Sequence, residues 1–133
     1  MKVVWTNGCF DVLHRGHFEM LQYAKSLGDK LVVGIDTDKK VKIGKGSTRP
    51  FNHQEDRKFA LECIRHVDEV VLFNSPQELE LLIKTYSPDV MVIGSDWKDK
   101  PVVGQQHAKK LMFFDRIGNY STTKILEQND IRI

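Results

Sequence analysis

The sequence predicts an α/β protein in which helices doubly wind a five-stranded parallel sheet, forming a single domain over residues 1–133. Three observations predict it. Short apolar runs alternate along the chain with stretches whose apolar residues recur at helical spacing, the pattern of βα units. The run Leu31, Val32, Val33, Gly34, Ile35 is nearly unbroken, as expected of a strand covered on both faces of a parallel sheet. A length of 133 residues with 41% apolar content suits one packed core and is short for two.

Each element follows in order. Residues 3–6 form an apolar run closed by Asn7 and Gly8, and Leu13, Phe18, Leu21, Ala24 and Leu27 then follow at helical spacing up to Gly28. Residues 30–36 are the second strand, which completes a βαβ unit. Residues 39–52 lack a sustained apolar period and carry Gly44, Gly46, Ser47 and Pro50 among basic residues, so a mobile loop is expected there. A helix is expected over 54–66 with Phe59, Ala60, Cys63 and Ile64 inward, then a strand over 70–73 and a helix over 76–86 with Leu79, Leu82 and Ile83 inward. The fourth strand is expected at 89–94, a polar loop at 95–103, a short helix at 105–110 and the fifth strand at 111–114. A last helix, with a hydroxyl residue at its start, is expected over 121–128. The whole is a Rossmann-like order with no internal repeat or interdomain linker.

Bulk properties exclude several functions. Lys and Arg number 20 against 18 Asp and Glu, a formal charge of +2, so no global field argues for a nucleic-acid partner. The first residues show no signal-peptide pattern and no apolar segment approaches a membrane span, so no membrane partner is expected. Cys9 and Cys63 are too few and too far apart to suggest a disulfide framework; a buried, chemically silent pair in a reducing cytoplasm is the expectation.

In such sheets ligands sit beyond the carboxyl ends of the strands, so the loops at 6–17, 36–49, 94–100 and 115–123 should share one crevice. The first carries His14 and His17, three residues apart and so on one side of a helix start, with Gly16 leaving room for a phosphate. The helix dipole favours an anion and resists imidazole protonation, yet neutral histidine still donates a hydrogen bond. The plainer alternative is that His14 caps the loop and His17 is packed; zinc ligation with Cys9 is another, but no second ligand pair stands at finger-like spacing. Ser121, Thr122 and Thr123 offer hydroxyls and amides at a helix start with Arg116 nearby, although simple N-capping accounts for at least one hydroxyl. Lys42, Lys45 and Arg49 are a basic group suited to closing over phosphates, or else solvated charges. Asp11 and Asp38 stand at strand ends, where they contact a ribose or a metal-bound phosphate, or cap a turn. Asp96 and Trp97 follow the fourth strand, where an indole can cover a ligand and a carboxylate can accept from it; a packed loop Trp is the plainer alternative.

Gly8-x-Phe10-Asp11 followed by His14-x-Gly16-His17 closely resembles the signature of the cytidylyltransferase-like nucleotidyltransferases, and 118–125, Gly-Asn-Tyr-Ser-Thr-Thr-Lys-Ile, resembles their second motif. The resemblance covers almost the whole chain. It implies transfer of a nucleoside monophosphate from a nucleoside triphosphate to a phosphorylated small molecule, with release of pyrophosphate. It implies catalytic roles for His14, His17, Lys45 and Arg116. It implies nucleotide contacts from Thr6, Gly8, Phe10, Asp11, Gly16, Asp38, Lys42, Arg49, Asp96, Trp97, Tyr120, Ser121, Thr122 and Thr123, with Mg2+ on the triphosphate and no metal held by the protein alone. Lys45-Gly46-x-x-Arg49-Pro50, with Arg57 and Val103-Gly104, resembles the adenylyltransferase half of ADP-heptose synthase, which implies a sugar 1-phosphate acceptor. Residues 64–70 and Asp96-Trp97-x-x-Lys100 look more like glycerol-3-phosphate cytidylyltransferase, in which residues like Arg65 and Asp68 lie near a subunit contact, implying a homodimer; a local ion pair is the alternative. A non-catalytic nucleotide-binding module is the rival from another class.

Overall fold

The computed structural model describes residues 1–115 and 125–126. Five strands, β1 (Val3–Gly8), β2 (Lys30–Asp36), β3 (Glu69–Phe73), β4 (Val90–Gly94) and β5 (Lys110–Phe114), alternate with four helices, α1 (Arg15–Ser26), α2 (Asp38–Lys45), α3 (Gln54–Glu62) and α4 (Pro76–Tyr86). The sheet order is β3-β2-β1-β4-β5 and every pairing is parallel. After β1 the chain moves to β2, and after β3 it returns across the sheet to β4. The direction of winding therefore reverses between β1 and β4, which opens a crevice at their carboxyl ends.

Strand periodicity divides the core. Val4, Leu31, Val33, Ile35, Val90 and Val92 face one side, where Leu21 and Ala24 of α1 and Leu61 of α3 cover them. Trp5, Val32, Met91 and Ile93 face the other side and meet Leu79 and Ile83 of α4. The register sets Asn7 beside Gly34 and Trp5 beside Val32. A β-carbon on Gly34 would stand 2.7 Å from the Trp5 ring, so the glycine in this apolar strand is the space that the indole occupies.

Several expectations need correction. Residues 39–45 are helix rather than loop: Thr37 caps α2 through the Lys40 amide, Val41 is buried, and the helix stops at Gly46, whose φ is +100°, while 46–52 carry no helix or strand, as expected. Glycine content had masked a short helix anchored by one apolar residue. Helix α3 ends at Glu62, before residue 66, and it buries Arg57 and Leu61 while Phe59 is 68% exposed. Phe18 of α1 likewise faces outward, and Cys63 is exposed while Cys9 is half-buried, so the cysteines are not a buried pair. The short helix expected at 105–110 is a 3-10 turn over Gln105–His107. The expected last helix lies, except for 125–126, outside the described residues, as do Arg116, Tyr120, Ser121, Thr122 and Thr123.

Candidate active site

Two histidines start α1. His14 is the N-cap residue in extended conformation, and its Nδ1 accepts the Gly16 amide at 3.1 Å. Nδ1 of His17 accepts the amide of His14 at 3.3 Å. The two bonds hold both rings in one stack, with centroids 3.8 Å apart and planes 27° from parallel. Because each Nδ1 is an acceptor, each neutral ring carries its proton on Nε2, as a hydrogen-bond donor. Phe10, buried with φ of +51°, sets its ring 5.1 Å from that of His17 and backs the pair from the core side. Burial, then the neighbouring His14 and the Lys45 charge, pull the His17 imidazole down to about 4, so it is neutral near pH 7.

Beside this pair lies a cleft of about 500 Å³ at the strand ends. Asn7, Gly8 and Cys9 from the β1 end, Asp36 from β2, and Lys40 and Lys45 from α2 form its polar wall. Phe73, Leu79, Ile93, Val102 and Trp97 form the apolar wall, with Asp96 next to the indole. Trp97 is 52% exposed in the 3-10 turn Ser95–Trp97, and Lys100 lies 5.8 Å from its ring centre. Lys45 links the two places, since its charge acts on both the Cys9 thiol and the His17 ring. Burial pushes the Cys9 thiol up, which leaves it protonated and a poor nucleophile.

Most of the remaining expected site residues make contacts within the chain. The Asp11 carboxylate is buried and accepts from the Phe51 amide at 2.7 Å, the Asn52 amide at 2.8 Å and Arg49 Nε at 3.2 Å. Asp11 and Arg49 are thereby occupied with each other, tying the turn after α2 to the loop after β1. Asp38 accepts Arg57 Nη2 at 2.8 Å, and Thr6 turns its hydroxyl toward Met20 of α1, away from the cleft. Gly16 donates its amide to His14, while Lys42 is exposed on α2 and does not line the cleft. Asp68 receives Lys25 and the Leu31 amide within the chain, the local alternative to a subunit contact. Among the described residues no group of three or more His, Cys, Asp or Glu is placed to hold a metal ion, and no helix is long and apolar enough to cross a membrane.

Sequence reasoning gave Arg57 no structural role and passed over Asp36. The Arg57 side chain is fully buried; its Nη1 donates to the carbonyls of Cys9 at 3.0 Å and Asp36 at 2.8 Å, and its Nε to Asn52 at 3.0 Å. One guanidinium thus pins the ends of β1 and β2 and the turn before α3. The only local signal for it was a charge among apolar helix positions, which reads as surface until the fold is known.

Comparison with known proteins agrees with this geometry. Residues 5–128 match the model of the cytidylyltransferase-like family. Over 127 residues the chain is 47% identical to the bifunctional protein HldE of a Nitratiruptor species and 43% identical to that of Helicobacter pylori. Each alignment takes in 96% of this chain and 27% of the relative, so the chain spans about a quarter of the length of these curated relatives. Among solved structures, the lipopolysaccharide core biosynthesis protein of Thermoplasma volcanium superposes with a TM-score of 0.68 at 25% identity, over 91% of this chain and 99% of that one. The pantoate-beta-alanine ligase of Francisella tularensis shares the fold, with a TM-score of 0.61 at 16% identity over 98% of this chain and 69% of that one. The family match runs from β1 through the histidine pair and past β5, and on it the chain belongs to the cytidylyltransferase-like family and is a nucleotidyltransferase.

Proposed function

We propose that the chain transfers a nucleoside monophosphate from a nucleoside triphosphate to a sugar 1-phosphate, most simply AMP from ATP in the manner of ADP-heptose synthase. The observation that carries this reading is the stacked, reciprocally capped His14–His17 pair at the α1 start beside the switch-point cleft. A phosphate oxygen of the acceptor attacks the α-phosphorus in line; the new P–O bond forms as the bond to the pyrophosphate oxygen breaks. Charge grows on the non-bridging oxygens of that centre, and Nε2–H groups of His14 and His17 donate to them. A neutral His17 serves as hydrogen-bond donor here without giving up its proton. Lys45 offsets phosphate charge from the cleft side, and Arg116 with Ser121, Thr122 and Thr123 holds the departing pyrophosphate. No covalent enzyme intermediate is needed.

Mg2+ accompanies the triphosphate in this proposal. The chemistry it supplies when bound is neutralisation of triphosphate charge. The donor set suits an ion carried by phosphates and water, because arginines occupy the carboxylates of Asp11 and Asp38 and no cage of protein ligands stands among the described residues. We propose a cytoplasmic setting, in keeping with two unpaired thiols, and a homodimer that uses the exposed Arg65 face.

A second reading, CMP transfer from CTP to glycerol 3-phosphate, is favoured by Asp96 and Trp97, which line the cleft and resemble that enzyme. Pyrophosphate release with ATP or CTP, each paired with a sugar 1-phosphate or glycerol 3-phosphate, decides between them. Efficient turnover of ATP with a sugar 1-phosphate is expected. Turnover of CTP with glycerol 3-phosphate alone would overturn the acceptor assignment, and no pyrophosphate from any pair would overturn the reaction.

A further inference from the structure

We propose that Asp36 reads hydroxyl groups of the phosphorylated acceptor and is the specificity-determining residue of the cleft, an inference that rests on the transfer reaction proposed above. The case begins with how the chain treats five other aspartates. Asp11 receives two amides and Arg49; Asp29 receives the Lys2 amide; Asp38 receives Arg57; Asp68 and Asp89 receive the amides of Leu31 and Val3. Each is held by a donor within hydrogen-bond distance. Asp36 is the exception: its side chain is only 19% exposed, its nearest charged partner is Lys40 Nζ at 3.8 Å, and among the described residues no donor lies within hydrogen-bond distance of its carboxylate. A half-buried carboxylate that lines a cleft without close donors keeps its acceptor sites open to a ligand.

Position says which ligand. The Asp36 carbonyl is fixed by Arg57 at 2.8 Å, so the residue is held at the strand end while its side chain lines the cleft. Lys40, drawn also toward the Phe73 ring at 5.5 Å, and Lys45 share that wall. Two ammonium groups beside one carboxylate match a molecule with a phosphate at one end and hydroxyls at the other. A triphosphate tail is a poor occupant of the Asp36 position, because like charges repel there. Sugar or polyol hydroxyls each donate one hydrogen bond to a carboxylate, which accepts several. The apolar wall of Phe73, Leu79, Ile93 and Trp97 then meets the carbon face of the same molecule.

The test compares wild type with Asp36→Asn and Asp36→Ala, using heptose 1-phosphate, mannose 1-phosphate, glycerol 3-phosphate and monodeoxy analogues of whichever is turned over. We expect Asp36→Ala to lower kcat/KM for the hydroxylated acceptor by about 10- to 100-fold, the value of hydrogen bonds to a charged group. We expect the KM of the nucleotide to stay unchanged, and one deoxy analogue to be used equally by wild type and variant. A general structural role would lower the hydroxylated acceptor and every one of its deoxy analogues together, and that result overturns the proposal. A rise in nucleotide KM, or recovery of the variant at high magnesium, places the carboxylate on the nucleotide and also overturns it. Absence of turnover in wild type with every pair removes the transfer reaction itself, which is distinguishable because no variant is then needed to see it.

Discussion

His14 and His17 cap one another at the start of α1: Nδ1 of His17 accepts the His14 amide while Nδ1 of His14 accepts Gly16, and the rings stack at 3.8 Å. The same two bonds that satisfy the open amides of the helix end also choose the ring tautomer. Structure and chemistry therefore share one device, and variants can separate them.

Asparagine at position 14 is such a variant, since it caps helices as well as any residue yet lacks the imidazole Nε2. His14→Asn should keep its thermal midpoint near wild type and lose at least about a hundredfold in turnover, the value of one donor to a transition-state oxygen. His17→Ala should lose turnover similarly. Steady-state pyrophosphate release at saturating substrates, with a melting curve for each variant, checks both; undiminished turnover in both would take the histidines out of the chemistry.

Acid should destabilise the protein through His17. Its imidazole titrates near 6.5 when unfolded and at about 4 when folded, so between those values the unfolded chain binds the extra proton. The stability that this shift represents is complete above pH 6.5 and is lost as pH falls toward 4. Urea titrations at stepped pH should show wild type weakening across that window more than His17→Gln. Identical slopes would contradict the assignment.

Replacing Arg57 by Met should cost about 3 kcal/mol or more, because breaking a buried ion pair leaves its partner uncompensated. Asp38 and the carbonyls of Cys9, Asp36 and Asn52 would all lose their donor. Arg57→Lys should rescue little, since an ammonium cannot reach four acceptors with the fork of a guanidinium. Denaturant midpoints measure both.

Residues 46–52 should resist protease before any nucleotide is added, because Asp11 holds three groups of that turn. Asp11→Asn weakens those bonds and should raise chymotrypsin cleavage after Phe51 by about tenfold, as loss of charge-assisted bonds predicts for local opening. Equal cleavage rates would show that the turn is held by something else.

Much of the fold was legible in the chain. Val4 next to Trp5 and Val32 between Leu31 and Val33 foretold a sheet covered on both sides, and the helix expected at 76–86 is α4 itself. Helix α2 was missed because its apolar anchor is Val41 alone, too little for a period to show. At the site, the three-residue spacing of His14 and His17 sufficed to place both rings together. Asp11 and Asp38 read as ligand contacts or caps and Arg49 as a phosphate contact or a solvated charge; the structure adds that Asp11 ties Arg49 and the turn after α2, and Asp38 receives Arg57.

The sequence by itself determined the order of the strands and of the helices other than α2, the two-sided sheet and the histidine pair, because periodicity, capping and close spacing act between near neighbours. Only the tertiary structure decided which charges are consumed and which face the cleft. Arg57 meets Cys9 and Asp36 across 48 and 21 residues, and Asp11 meets Arg49 across 38. Such pairings depend on how the sheet order and helix packing bring distant ends together, and this leaves Asp36 with its carboxylate in the cleft.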